Sequence, residues 1–320
     1  MNTFRTLTLI AFSLLILSCQ NQGKENVPNL NQDILFEEVT PSHSNINFQN
    51  TIFENEKFNF QNYIYIYNGG GVSAGDINND GLIDLYFTSN AGSNKLYINK
   101  GNFEFEDITE KAGVEDKEGW STGTTMIDIN NDGFLDIYVC KAGELQNQEL
   151  RRNKLFINQG NSTFKEDAAA YGIDDFAFST QAYFVDFDKD GDVDMYLVNH
   201  RDDFQNNSTI SGEIQLDIKQ YSSDKIYKNE NGKFINFIPQ GFNKTWGLSA
   251  SIADFNDDGW YDIYVCNDFL EPDQLWINNK KGSFADSIRY YFDHISFNSM
   301  GSDVADINND GKMDLAVLDM

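Results

Sequence analysis

The chain is 320 residues long, 40% apolar and 14% aromatic, with only 4 prolines, which excludes a disordered polymer and allows a sizeable core. Fifty acidic residues against 23 basic ones leave a formal net charge of −27. A surface of that sign repels phosphate backbones, so nucleic-acid binding by a basic patch is excluded and metal cations are the natural counter-ions.

The first 18 residues read as a signal peptide. Arg5 lies in a short n-region, and the apolar run from Leu7 to Leu17 is too short to span a bilayer comfortably. Ile16-Leu17-Ser18-Cys19 resembles the lipobox of bacterial lipoproteins, and that resemblance makes the Cys19 thiol the lipid attachment site. An ordinary secretory signal ending near a cysteine is the alternative. Residues 19–33 are polar and are expected to form a flexible tether, with the folded domain in 34–320. No other segment is apolar enough to cross a membrane.

One nine-residue phrase then recurs five times: Asp76-Ile-Asn-Asn-Asp-Gly-Leu-Ile-Asp84, followed by copies at 128–136, 186–194, 254–262 and 306–314. The starts are 52, 58, 68 and 52 residues apart. Each copy leads into an apolar run of strand character, such as Leu85-Tyr86-Phe87 or Ile137-Tyr138-Val139. A second phrase follows four of them: Asn94 to Asn99, Asn153 to Asn158, Asp224 to Asn229 and Asp273 to Asn278. A glycine-containing turn and another alternating segment, Phe103 to Ile108 in the first period, complete the unit. Four short strands per period, in tandem, predict an all-β fold, a β-propeller of four-stranded blades. The segments entering the acidic loops are mostly small, as an innermost strand requires: Gly71, Val72 and Ser73, then Gly123, Thr124 and Thr125, then Ser249, Ala250 and Ser251. The third repeat departs, with Gln181 and Tyr183.

The five acidic loops are the candidate metal sites. Oxygen side chains fall at positions one, three, five and nine, with glycine at six for the sharp turn, and position seven supplies a backbone carbonyl. The expected ligand sets are Asp76, Asn78, Asp80, Leu82 and Asp84; Asp128, Asn130, Asp132, Phe134 and Asp136; Asp186, Asp188, Asp190, Asp192 and Asp194; Asp254, Asn256, Asp258, Trp260 and Asp262; and Asp306, Asn308, Asp310, Lys312 and Asp314. The side chain at position seven varies freely, as a carbonyl ligand allows. All-oxygen ligation on a flexible, carboxylate-rich loop favours Ca²⁺ over Mg²⁺, about five ions in all. EF-hand loops begin with the same spacing but close on an acidic ligand at position twelve; here that position is Phe87, Val139, Leu197, Val265 and Val317, so the EF-hand reading fails.

These repeats resemble FG-GAP/VCBS repeats, the calcium-loop propeller units also found in integrin α-subunits. Tyr67-Asn-Gly-Gly-Gly-Val72, Asn94 to Asn99, Phe105 to Gly113 and Ser299 to Val304 are similar to the ASPIC/UnbV, cartilage-acidic-protein-like family of exported proteins. The resemblance covers roughly residues 34 to 320. It implies a calcium-stabilised propeller, seven-bladed when complete, used for binding or adhesion at the cell surface, and it implies no catalytic residues. Relatives continue with more repeats and a C-terminal domain, so the chain is expected to be a fragment.

Three cysteines make no disulfide framework, and His43, His200 and His294 do not cluster, so Cys/His zinc chemistry is not expected. Cys140 and Cys266 occupy the slot held by Thr88, Val198 and Leu318 in the other repeats, which predicts inert core thiols. His200, beside Arg201, Asp202 and Asp203, reads as part of a solvated loop, and no nucleophile-elbow sequence supports hydrolysis. The loops joining strands two and three must emerge opposite the acidic loops. These are Lys141 to Arg152, Asn199 to Ser223 and Asn267 to Pro272, and they are the expected recognition face. The functional expectation is an exported, lipid-anchored, non-catalytic calcium-binding protein at the outer membrane or cell surface that binds an extracellular protein or glycan. A polysaccharide lyase or hydrolase, or a scaffold for a further domain, is the alternative.

Overall fold

The computed structural model describes residues 36–56, 58–143, 147–201, 223–237, 242, 245–269, 271–280 and 283–320. The chain divides into residues 1–40, whose described part (36–40) runs without helix or strand, and residues 41–320, which carry every strand described.

The predicted meanders are present. The first sheet is β1 (Val72–Gly75), β2 (Asp84–Phe87), β3 (Lys95–Asn99) and β4 (Phe105–Asp107). The second is β5 (Trp120–Ile127), β6 (Asp136–Ala142), β7 (Lys154–Asn158) and β8 (Phe164–Glu166). The third is β9 (Ser179–Val185), β10 (Asp194–Asn199), β11 (Lys225–Asn229) and β12 (Phe234–Phe237). The fourth is β13 (Gly247–Ala253), β14 (Asp262–Asn267), β15 (Gln274–Asn278) and β16 (Phe284–Asp286), and a two-stranded sheet follows, β17 (Ser299–Ala305) with β18 (Asp314–Asp319). Within each sheet strand order is chain order and every pairing is antiparallel. These are propeller blades.

The first strand of each sheet lies against the first strand of the next. Gly71 N–H donates to the Thr122 carbonyl (2.9 Å), the Thr122 hydroxyl to the Ser179 carbonyl (2.7 Å), and Ala250 N–H to the Tyr183 hydroxyl (3.0 Å). Small residues there are a steric requirement: a Cβ on Gly123 would fall 2.3 Å from the Thr180 carbonyl oxygen. Gln181 and Tyr183 fit because their polar ends bond across to the neighbouring inner strands, Gln181 Nε2 to Thr125 Oγ1 at 3.0 Å.

Successive side chains of a strand point to opposite faces. In β6, Ile137 and Val139 pack with Ile77, Tyr86 and Leu96 of the first blade, while Tyr138 and Cys140 pack with Ala182, Met195 and Leu197 of the third. The apolar runs are therefore continuous because both faces are covered. Cys140 and Cys266 are buried free thiols, as expected.

Three differences from the sequence reading stand out. The fourth strand of the first blade begins at Phe105, not Phe103; Phe103 has φ +59° and sits exposed in the turn. One-turn helices follow the fourth strands at Thr109–Ala112, Ala168–Tyr171 and Ile288–Tyr291. The first is held by the Asp107 carboxylate accepting the Thr109 N–H (3.0 Å) and ends on Gly113 at φ +74°. Finally, the second strands run longer than expected: Lys141, Asn199 and Asn267 are buried strand residues, not loop residues.

Candidate metal centre

Each acidic loop joins the first and second strands of its blade, and all five share one set of hydrogen bonds. In the second copy the Asp128 carboxylate accepts the N–H groups of Asp132 (3.0 Å) and Gly133 (2.9 Å), Asn130 Oδ1 accepts Asp132 N–H (3.0 Å), and Asp132 accepts Phe134 N–H (2.9 Å). The other copies repeat this pattern through Asp76, Asp186, Asp254 and Asp306. The glycine at position six adopts φ between +85° and +100° in every copy. Position four is left-handed as well, at Asn79, Asn131, Lys189, Asp257 and Asn309. Asparagine and aspartate tolerate that backbone, which explains why they dominate there. Sequence reading gave that position no role.

The aspartate at position nine is the first residue of the second strand. Asp136 is fully buried; its Oδ2 accepts the Ile129 N–H (3.1 Å) and its Oδ1 the Asn158 N–H (2.7 Å). Asp84, Asp194 and Asp262 do the same with Asn99, Asn229 and Asn278. The residue closing the second recurring phrase is thus a latch partner of the acidic loop, a coupling the sequence reading did not anticipate. Burial pushes the Asp136, Asp194 and Asp262 carboxyls up to about 6 and Asp84 in the same direction, the latch bonds oppose this, and the carboxylates at positions one, three and five add to the rise.

In the third copy carboxylate oxygens of Asp186, Asp188 and Asp194 lie within 4.8 Å of one another. Carboxylate oxygens keep lone pairs after accepting a backbone N–H, so this all-oxygen set fits a hard divalent cation. The third copy is also the one whose position three is aspartate, and Lys228 answers it with Nζ 2.7 Å from Asp188. The equivalent residues in the other blades are Ile98, Ile157 and Ile277. Neighbouring loops are tied together: Asn79 donates to the Gly133 carbonyl (2.9 Å), Asn158 to the Ile77 carbonyl (2.8 Å) and Asn278 to the Phe187 carbonyl (2.9 Å). Lys189 sits 4.7 Å over the Trp260 ring. Cys19 lies outside the described residues.

At the opposite end His200 corrects the sequence reading. It is 1% exposed, paired through a bridge with Trp246, and packed against Tyr63, Tyr65 and Phe178. Its Nε2 is 3.0 Å from the Tyr63 hydroxyl and its Nδ1 2.7 Å from the Arg201 carbonyl. Burial lowers its pKa to about 4. The aromatic run ahead of the first blade, which sequence reading left unassigned, supplies this packing. Of the expected recognition loops, residues 144–146, 202–222 and 270 lie outside the described residues. Lys141 is buried against Asp116, and Arg151 stacks 4.3 Å over Phe178.

Residues 76–139 and 254–317 match the family described as FG-GAP-like repeat, and these segments hold loops one, two, four and five. These two segments are similar to FG-GAP-like repeats, and the sheets that hold them form a propeller-like fold. The chain is similar to cartilage acidic protein 1: 25% identical to the mouse protein over 203 residues, covering 62% of this chain and 28% of that protein, and 38% identical to the Xenopus tropicalis protein over 72 residues, covering 22% and 11%. The chain therefore spans less than a third of the relatives it matches. Among solved structures, an exo-β-1,3-galactanase from Phanerochaete chrysosporium bound to β-1,3-galactotriose aligns with a TM-score of 0.42 and 8% identity, covering 68% of this chain and 49% of that one.

Proposed function

We propose that the chain is an exported, lipid-anchored binding module whose blades are stabilised by Ca²⁺, one ion in each acidic loop, and that it performs no catalysis. One observation carries the reading: five loops of the same conformation, each presenting oxygen donors at one end of the inner strands, in a chain of net charge −27. Within a loop the ion would be held by the side chains at positions one, three, five and nine and the carbonyl at seven. Bound there, it neutralises carboxylates that otherwise repel one another. The oxygen set and the loop's flexibility favour Ca²⁺ over the smaller, octahedral Mg²⁺.

Calcium rigidity at one end leaves recognition to the other, where the second-to-third-strand connections emerge. The partner is an extracellular protein or glycan. Anchoring rests on Cys19 and places the module at the cell surface, in the outer membrane where there is one. Two measurements test this. Calorimetric titration of the chelator-treated protein with Ca²⁺ should give about five sites, and absence of binding refutes the metal assignment. Detergent-phase partitioning of the expressed precursor should be lost in Cys19→Ser; unchanged partitioning refutes lipidation.

A further inference from the structure

A cavity of about 560 Å³ lies among the N-terminal ends of the inner strands, and it takes walls from all five blades. The acidic loops follow the C-terminal ends of those same strands, so the cavity opens at the opposite end of the molecule. Its size falls in the range of small-molecule sites, about 300–1,000 Å³.

Its chemistry is unlike the rest of the surface. In a chain with 50 acidic residues, no lining residue among those described is Asp, Glu, Lys or Arg. The one titratable lining imidazole, His200, is buried and engaged by the Tyr63 hydroxyl and the Arg201 carbonyl. The lining is rich in aromatic side chains: Tyr63, Tyr65, Tyr67, Trp120 and Tyr183. The polar part of the lining comes from Thr122, Thr180, Gln181 and Ser249 and the backbone of Gly69 to Gly71; the Thr122, Thr180 and Gln181 side chains also donate to neighbouring strands, which leaves their oxygens as acceptors. Glycine at 70 is needed for that backbone to lie close, since a Cβ there would meet the Thr88 carbonyl oxygen at 2.1 Å. An uncharged site that combines aromatic rings with hydroxyl, amide and peptide groups matches a ligand that is itself neutral, apolar on its C–H face and rich in hydroxyls. A phosphate or uronate would find no cation, and an ammonium would find no carboxylate.

We propose that this cavity binds a neutral saccharide. The inference rests on the binding-module reading and names its ligand class. Tyr67 is 63% exposed at the rim, and Met300, at the start of β17, is 39% exposed; both can be changed without opening the core. The test is calorimetric titration of the calcium-loaded chain with glucose, galactose, mannose and their neutral β-linked trisaccharides, with glucuronate and adenosine as contrasts and product analysis after each run. At least one neutral sugar should bind. Tyr67→Ala and Met300→Trp, the second filling the cavity, should each weaken it tenfold or more while the melting midpoint stays unchanged. Equal affinity for monosaccharide and trisaccharide would assign the cavity to a single sugar, and tighter trisaccharide binding to a glycan chain; both support it. No sugar binding, preference for adenosine, equal binding of glucuronate, or wild-type affinity in both variants overturns it and leaves the metal-stabilised module intact. Binding followed by cleavage keeps the cavity assignment and overturns the non-catalytic reading.

Discussion

Replacing Asp136 separates its latch within the protein from its proposed role as a metal ligand. Asp136→Ala leaves the Ile129 and Asn158 N–H groups without their carboxylate at a site that is fully buried. An unsatisfied buried donor costs about 1–3 kcal/mol, so the variant should lose about 2–6 kcal/mol with no metal present. That is a large part of a domain's usual margin of about 5–15 kcal/mol. Asp132→Ala is the contrast: Asp132 is exposed, and its two donors within the loop, Phe134 N–H and the Asn130 amide, can turn to water when it is removed. It should lose little in chelator. If the loop binds Ca²⁺ with Kd of about 10⁻⁴ to 10⁻³ M, as extracellular modules do, about 1 mM Ca²⁺ adds roughly 0.4–1.4 kcal/mol per site. Both variants should forfeit that increment. Urea unfolding at 25 °C, followed by tryptophan fluorescence with and without EGTA, measures all four quantities. A loss below about 1 kcal/mol for Asp136→Ala in EGTA would refute the latch. An equal response of Asp132→Ala and wild type to Ca²⁺ would refute ligation by that loop.

Chelation of all five loops should lower the thermal midpoint of the wild type, and an unchanged midpoint counts against metal stabilisation. Lys228→Ile removes the ammonium beside Asp188 and should tighten the third loop's Ca²⁺ affinity by up to roughly fivefold, an exposed pair being worth up to about 1 kcal/mol; titration calorimetry reads it. His200 has a folded pKa of about 4 against an unfolded value near 6.5, so its contribution is present above pH 6.5 and is lost as pH falls toward 4, about 3 kcal/mol over the window. His200→Phe should flatten the stability profile there, and a profile identical to wild type would contradict the burial argument. Cys140 and Cys266 are buried with their thiols pushed up, so a disulfide reagent should label them only after urea unfolding.

What repeats in sequence was readable, and what depends on long-range pairing was not. The loop spacing and the period-two strands are local, so blade number, strand order and the core position of Cys140 follow from them. The latch needed Asp136 and Asn158, 22 residues apart, to be brought together by the β6–β7 pairing. His200 was misread for the same reason: its neighbours in sequence are charged, while Tyr63, which buries it, is 137 residues away. The one-turn helices were missed because four residues carry too little periodicity, although Asp107, Thr109 and Gly113 held their capping signal.

The alternation along the second strands has a consequence for how the molecule comes apart. Because Ile137 and Val139 face one blade and Tyr138 and Cys140 the other, the strand cores are shared: four of the five hydrophobic clusters are joints between two neighbouring blades, and the fifth gathers Tyr63, Trp120, Phe178 and Trp246 from several. Most of the stability is then a sum of nearest-neighbour couplings along a row, as in a one-dimensional chain of spins, with the aromatic cluster around Tyr63 coupling blades two to four in addition. A single-residue insertion in β6 would exchange the two sets of side chains and spoil two joints at once, whereas a lesion in a fourth strand touches less. Unfolding should therefore run as an unzipping from joint to joint, with the acidic-loop ties between neighbouring blades setting where it pauses.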